Sequence, residues 1–149
     1  METFGYYKKA LEDLGHTVTS RWLAGDDANL VAGKFDPMRH PFTDQTGVRP
    51  ENVRTAGFLG LICVEDIVAS DIIFFFGEPL SIPARNGGRM VELGIAIGWN
   101  ECARSNEMKR IIIIGPTENG FTCLSTLIHV ETFDEAIFAM KYWYGHVAT

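Results

Sequence analysis

The stretch Ser81-Ile-Pro-Ala-Arg-Asn-Gly-Gly-Arg-Met-Val-Glu-Leu-Gly94 has residue types and a spacing that can do chemistry. Gly87 and Gly88 let a ligand approach the backbone closely. A helix opening at this point offers free N–H groups that hold an anion, and Arg85 and Arg89 can add a bidentate clamp for a phosphate. Glu92 then falls in the first or second helical turn, where the helix dipole favours the ionised carboxylate. An ionised carboxylate held rigidly beside a bound sugar is a nucleophile for an anomeric carbon. A plainer reading is a solvated glutamate behind an ordinary glycine turn, and pattern alone favours it. Two glycines and an acid do not make a GxGxxG fingerprint.

Other reactive residue types carry less. Cys63, Cys102 and Cys123 are odd in number and far apart, with no CxxC pair and no Cys/His cluster at zinc spacing. Neither a disulfide framework nor a structural metal is indicated; three reduced thiols in a cytoplasmic protein are expected. His16, His40, His129 and His146 are scattered and read as surface or core-edge residues. No GxSxG elbow supports a hydrolase triad. Trp22 can stack on a base from a strand end, and packing accounts for it equally well. Asn119-Gly120 is, by local chemistry, a turn.

The elements that must position these residues follow from periodicity. Thr3 to Leu14 has helical spacing at Phe4, Tyr7, Leu11 and Leu14, stopped by Gly15. His16 to Leu23 is rich in β-branched and aromatic residues and reads as a strand. Ala24 to Pro50 has three prolines and no lasting periodicity, which suggests a lid or an oligomer contact with at most a short helical turn. Glu51 to Ala69 is a helix weakened by Gly57 and Gly60, and Asp71 to Phe76 a strand apolar enough for a sheet buried on both faces. After a loop over Gly77 to Gly87 come a helix from Gly88 to about Arg104 and a strand over Lys109 to Ile114. A turn over Gly115 to Gly120, a short strand over Thr126 to Val130 and an amphipathic helix over Thr132 to Tyr144 complete the order.

Helices alternating with strands predict an α/β fold, a doubly wound parallel sheet of flavodoxin or Rossmann type, as a single domain over residues 1–149. Such folds open on a strand, whereas this chain opens on a helix. In a flavodoxin-like order the first strand is central. Its loss leaves backbone groups unpaired, so either the start lies upstream or another segment or subunit fills the slot.

Composition narrows the function classes. A net charge of −6 over 149 residues argues against a nucleic-acid surface, which needs a basic stripe. It leaves a single nucleotide open as ligand. The segment Met1 to Ala10 has no apolar signal core, and the longest apolar run, Ile72 to Phe76, is too short to span a bilayer.

Gly87-Gly88-Arg89-Met90-Val91-Glu92-Leu93-Gly94 resembles the GGRHVE-type motif of nucleoside 2-deoxyribosyltransferase-like proteins. Leu14 to Leu23 is similar to their second-strand segment, Glu65 to Ile73 to their helix-to-strand junction, Gly115 to Phe121 to their last active-site loop, and Phe133 to Ala136 to their closing helix. These blocks run in order over most of the chain from Leu11 onward. The resemblance implies cleavage or exchange of the N-glycosidic bond of a nucleoside or nucleoside 5′-monophosphate, without a cofactor or metal. Glu92 would be the nucleophile, with chemistry parallel to a retaining glycosidase. Gly87, Gly88 and Arg89 would bind sugar or phosphate, Asn119 and Phe121 would line the pocket, and a homo-oligomer is expected. On that basis the aromatic end Tyr142-Trp143-Tyr144 reads as a subunit contact. Arg85 and Arg89 tilt the expectation towards a nucleotide substrate and hydrolysis.

The chain departs from the family pattern at three points. The opening strand and its ligand loop are absent. The family's aspartate eight residues before the strand's own aspartate is Cys63 here, with Asp66 as a nearby substitute for assisting the leaving base. The histidine often found in the motif is Met90. Two alternatives therefore stand beside the first reading. One is a phosphoribohydrolase of the lysine-decarboxylase-like group, whose turn has the form GGxGTxxE and fits the spacing here less well. The other is a nucleotide-binding protein without catalysis.

Overall fold

Four consecutive isoleucines, Ile111 to Ile114, form the innermost strand, and each is at most 5% exposed. In a computed structural model of the chain, the described residues are 2–21, 43–44, 47–48, 53–77 and 88–144. Their contacts fall into two compact units, Met1–Ala69 and Ser70–Thr149. The architecture is mixed α/β. Among the described residues its open parallel sheet has three strands, a partial sheet compatible with a Rossmann-like fold.

The first unit begins with helix α1 (Glu2–Glu12). Gly15 ends it in the left-handed region at φ +83°. Its N–H donates to Glu12 O at 2.9 Å and the His16 N–H donates to Leu11 O at 3.1 Å. This pair of bonds satisfies two carbonyls of the last turn, as the glycine stop predicts. Two-residue strands β1 (Thr43–Asp44) and β2 (Gly47–Val48) pair antiparallel, inside a segment expected to be loop. Helix α2 (Val53–Ala69) closes the unit.

The strand expected over His16 to Leu23 is not formed in its described part. Residues 16–20 have no strand structure, Arg21 is helical, and residues 22 and 23 lie outside the described set. β-branched composition favours an extended chain, but a strand also needs a neighbour to pair with. Arg21 ties this segment to α2. Its backbone N–H and Nε donate to the two oxygens of Asp66 at 2.9 and 2.7 Å. Its Nη2 reaches Ile62 O at 3.0 Å and Glu65 Oε2 at 2.8 Å.

The second unit contains strand β3 (Ile72–Phe76), helix α3 (Gly88–Cys102), strand β4 (Arg110–Ile114), strand β5 (Ile128–Val130) and helix α4 (Phe133–Tyr144). β4 lies between β3 and β5 and is parallel to both, with Ile72 opposite Arg110 and Ile112 opposite Ile128. Alternation along β3 sends its aromatic rings to opposite faces. Phe74 and Phe76 meet Phe133 of α4 at centroid distances of 5.9 and 6.3 Å. Phe75 meets the Arg89 guanidinium of α3 at 5.5 Å. The two helices therefore cover the two faces, which is why β4 needs no polar side. Leu93 and Ala96 of α3, and Phe133, Ala136 and Met140 of α4, are the buried helix residues. Thr132 and Glu135 cap α4. The Thr132 hydroxyl accepts from the Glu135 N–H at 3.2 Å, and the Glu135 carboxylate accepts from the Glu131 N–H at 2.8 Å.

At the amino end of β4, Asn100 takes the place of a strand neighbour for Lys109. Its amide donates to Lys109 O at 2.8 Å and its oxygen accepts from Lys109 N–H at 2.7 Å. The Lys109 ammonium donates to Ser70 O at 2.5 Å and stands 4.6 Å from the Trp99 ring centroid. Burial pushes its pKa below the ordinary lysine value, with Asp71 partly opposing. The folded state thus binds this proton less tightly than the unfolded chain. Stability should rise as pH climbs from the lowered value towards 10.5. Denaturant midpoints between pH 8 and 10 should show a rise that Lys109→Met flattens; equal slopes in both proteins would refute the assignment.

At the carboxyl end, Gly77 is required by contact. A Cβ there would lie 1.9 Å from Pro116 O and 3.0 Å from its carbonyl carbon. The Gly77 N–H extends the ladder to Ile114 O at 2.8 Å, and Gly115 has φ +85°. Gly77→Ala should cost on the order of 3 kcal/mol, because backbone rather than a pliable side chain must move. A thermal midpoint within a degree of the wild type would contradict this.

Candidate functional site

Helix α3 begins at Gly88, as the glycine pair predicts, and its first turn is fixed by Arg89. Nη1 and Nη2 of Arg89 donate to Oε1 and Oε2 of Glu118, each at 2.8 Å, and Nη1 also donates to Phe76 O at 3.0 Å. The Arg89 side chain is 25% exposed and that of Glu118 only 9%. One guanidinium thus joins α3 to the end of β3 and to the loop after β4. Arg89, one of the two arginines expected to clamp a phosphate, instead holds a carboxylate of the chain itself.

The loop after β4 is built around Thr122, which is fully buried. Its hydroxyl accepts from the Glu118 and Asn119 N–H groups at 2.8 and 3.1 Å and donates to Asn119 O at 2.8 Å. Asn119 Oδ1 in turn accepts from the Phe121 and Thr122 N–H groups at 2.9 and 3.2 Å, opening the short 3-10 turn Phe121–Cys123. Asn119 Nδ2 reaches Met90 Sδ at 3.5 Å. Asn119 and the first turn of α3 are therefore brought together. The Phe121 ring is held outward, 69% exposed.

Glu92 is the fifth residue of α3, one position before Leu93, which is 1% exposed against the sheet. Its own side chain is half-buried. Arg89 precedes it by three residues, so the two share a side of the helix. Of the other expected site residues, Arg85, Gly87 and Trp22 lie outside the described residues. Asp66 belongs to the first unit, and both its oxygens accept from Arg21, an anchoring role rather than a free acid. Cys63 is half-buried on α2.

Sequence reasoning did not single out Glu118 or Thr122. Glu118 stands 29 positions from its partner, and only the parallel packing of β3 on β4 makes them neighbours. A threonine three residues after an asparagine in a glycine-bearing loop was the one local signal for the hub.

A cleft of about 460 Å³ opens elsewhere in the second unit, lined by Gly115, Pro116, Thr117, His129, Val130, Glu131 and Glu135. It includes neither Arg89 nor Glu92, and no lysine or arginine lines it. Among the described residues no group of three or more His, Cys, Asp or Glu residues could hold a metal, and no helix is long and apolar enough to cross a membrane. Comparison with family models, with curated proteins and with solved structures finds no match to this chain.

Proposed function

We propose that the chain acts on the N-glycosidic bond of a nucleoside or nucleoside 5′-monophosphate, with Glu92 as the nucleophile that forms a glycosyl-enzyme. The observation that carries the reading is the half-buried Glu92 on α3, after the glycine pair and three residues from an arginine tied to the loop beyond β4. This arrangement favours a carboxylate held in one place, which attack on an anomeric carbon requires. The partial parallel sheet, compatible with a Rossmann-like fold, and the resemblance of the sequence to nucleoside 2-deoxyribosyltransferase-like proteins support it. Gly87, Gly88 and Asn119 are the proposed binding residues. Because Glu118 already occupies Arg89, a 5′-phosphate would have to displace a carboxylate, which tilts the reading towards unphosphorylated nucleosides. The enzyme would be a homo-oligomer needing no cofactor, and a cytoplasmic location belongs to the same reading.

A second reading has its own observation. Cys63 stands where the family has an aspartate, and Asp66 is bound to Arg21 through both oxygens. This leaves the acid that would assist the departing base unassigned, as in a nucleotide-binding relative without catalysis. The deciding experiment is chromatographic detection of free base after incubation with deoxynucleosides, ribonucleosides and their 5′-monophosphates, with and without an acceptor base. Release supports the enzyme, and the acceptor separates exchange from hydrolysis. Binding of a nucleoside or nucleotide without release by the folded protein would favour the second reading and overturn the first.

A further inference from the structure

Arg89 is a cation in the first turn of α3, where the helix dipole disfavours positive charge. That position calls for a counter-charge, and two carboxylates qualify. Glu92 follows by three residues on the same side of the helix, a spacing at which an arginine and a glutamate pair. Glu118 comes from the loop after β4, with a side chain only 9% exposed. The structure gives Arg89 to Glu118. Both Nη atoms donate to its carboxylate at 2.8 Å, and Phe76 O holds Nη1 from the other side. Such a two-pronged contact is stronger and more directional than a single charged bond. The half-buried Glu92 carboxylate has no hydrogen bond or ion pair with any described residue.

We propose that Glu118 is a positioning residue that holds Arg89 away from Glu92, so that Glu92 keeps an uncompensated negative charge. The proposal rests on the reading of Glu92 as the nucleophile. An anomeric carbon under attack develops positive charge, which a free carboxylate stabilises and a carboxylate shared with a guanidinium stabilises less. A paired carboxylate must also give up its partner before its oxygen can form the bond to carbon. The loop is built to keep Glu118 in place. The buried Thr122 hydroxyl accepts from the Glu118 N–H at 2.8 Å, so the carboxylate is presented from a fixed backbone. The glutamate beyond β4 thus decides which of two acids the helix arginine meets, without touching the substrate itself.

Carboxyl labelling of the full chain with a water-soluble carbodiimide and excess glycine ethyl ester, read by peptide mass spectrometry, tests this without relying on turnover. Glu101, exposed near the end of the same helix, is the internal reference. Relative to it, Glu92 should label about threefold more slowly in Glu118→Gln than in the wild type, because Arg89 turns to the acid that is left. The paired replacement Arg89→Met with Glu118→Met should return Glu92 to the wild-type rate, which a general loosening of the loop would not do. Glu118→Asp keeps the charge but shortens the reach; it should give an intermediate rate and provides the answer if Glu118→Gln does not fold. Base release should follow the same order, falling about threefold in kcat with KM unchanged in Glu118→Gln and recovering in the double variant. Equal labelling of Glu92 in the wild type and in Glu118→Gln would overturn the proposal, and so would slowing that persists once Arg89 is removed. No base release from the wild type would instead overturn the underlying reading of Glu92 as nucleophile, and the labelling would still decide whether Glu118 keeps Arg89 off Glu92.

Discussion

Arg89→Ala should lower the unfolding free energy by about 3 kcal/mol, the largest stability loss expected from a single side chain at the candidate site. Removing one member of a buried ion pair leaves the other without its counter-charge at a cost of about 3–5 kcal/mol. The partial exposure of Arg89 places the expectation at the low end. The loss has three parts: the two-pronged contact to Glu118, the bond to Phe76 O, and the guanidinium against the Phe75 ring. Glu118→Gln keeps a polar partner for Arg89 and should cost less, about 1–2 kcal/mol. The double replacement Arg89→Met with Glu118→Met should be cheaper than the two single losses added together. Urea denaturation of the set distinguishes this from a surface pair, for which each single change would cost under about 1 kcal/mol.

Glu92→Ala carries the largest expected effect on activity. If Glu92 attacks the anomeric carbon, its removal should reduce base release by about ten-thousand-fold or more, since deleting a nucleophile takes away the reaction path itself. Stability should change little, because the side chain is only half-buried and ends a helical turn rather than filling the core. Formate at high concentration should restore part of the activity by supplying a carboxylate to the vacated space. A fall of only a few-fold, or no response to formate, would make Glu92 a positioning residue and move the nucleophile elsewhere. Gly77→Ala offers a contrast, since it should destabilise the second unit without removing any reacting group.

The order of the elements was largely legible because both periods are strong. Buried isoleucines announced β4, the apolar run at Ile72 to Phe76 announced β3, and the row Phe133, Ala136 and Met140 announced α4 within a residue of its start. The glycine pair located the opening of α3 for a physical reason that survives in the structure. The strand at His16 to Leu23 failed because propensity describes one chain, whereas a strand is a property of two. The partner of Arg89 was not legible for a similar reason. Its charge and position were plain, but Glu118 lies 29 residues away, and a sequence does not say which acid an arginine will find. Thr122 was hidden because a buried hydroxyl and an exposed one look alike until the loop closes around them.

The contrast between β4 and the start of α3 implies a gradient of local opening. Backbone amides of Ile112 to Ile114 lie in a strand paired on both sides and covered on both faces, so they should exchange with solvent only when the whole second unit comes apart. The first turn of α3 is held differently, by the Arg89 side chain that ties it across to the neighbouring loop and to the end of β3. Its opening free energy thus depends on the contacts of one guanidinium, with Glu118, Phe76 O and the Phe75 ring, more than on the isoleucine core. Glu92 sits where these two regimes meet, on a rigid helix whose leading edge can loosen without melting what lies behind it. Salt or a competing anion at Arg89 would therefore act as a dial on the mobility of that edge while the slow-exchanging core stays unchanged.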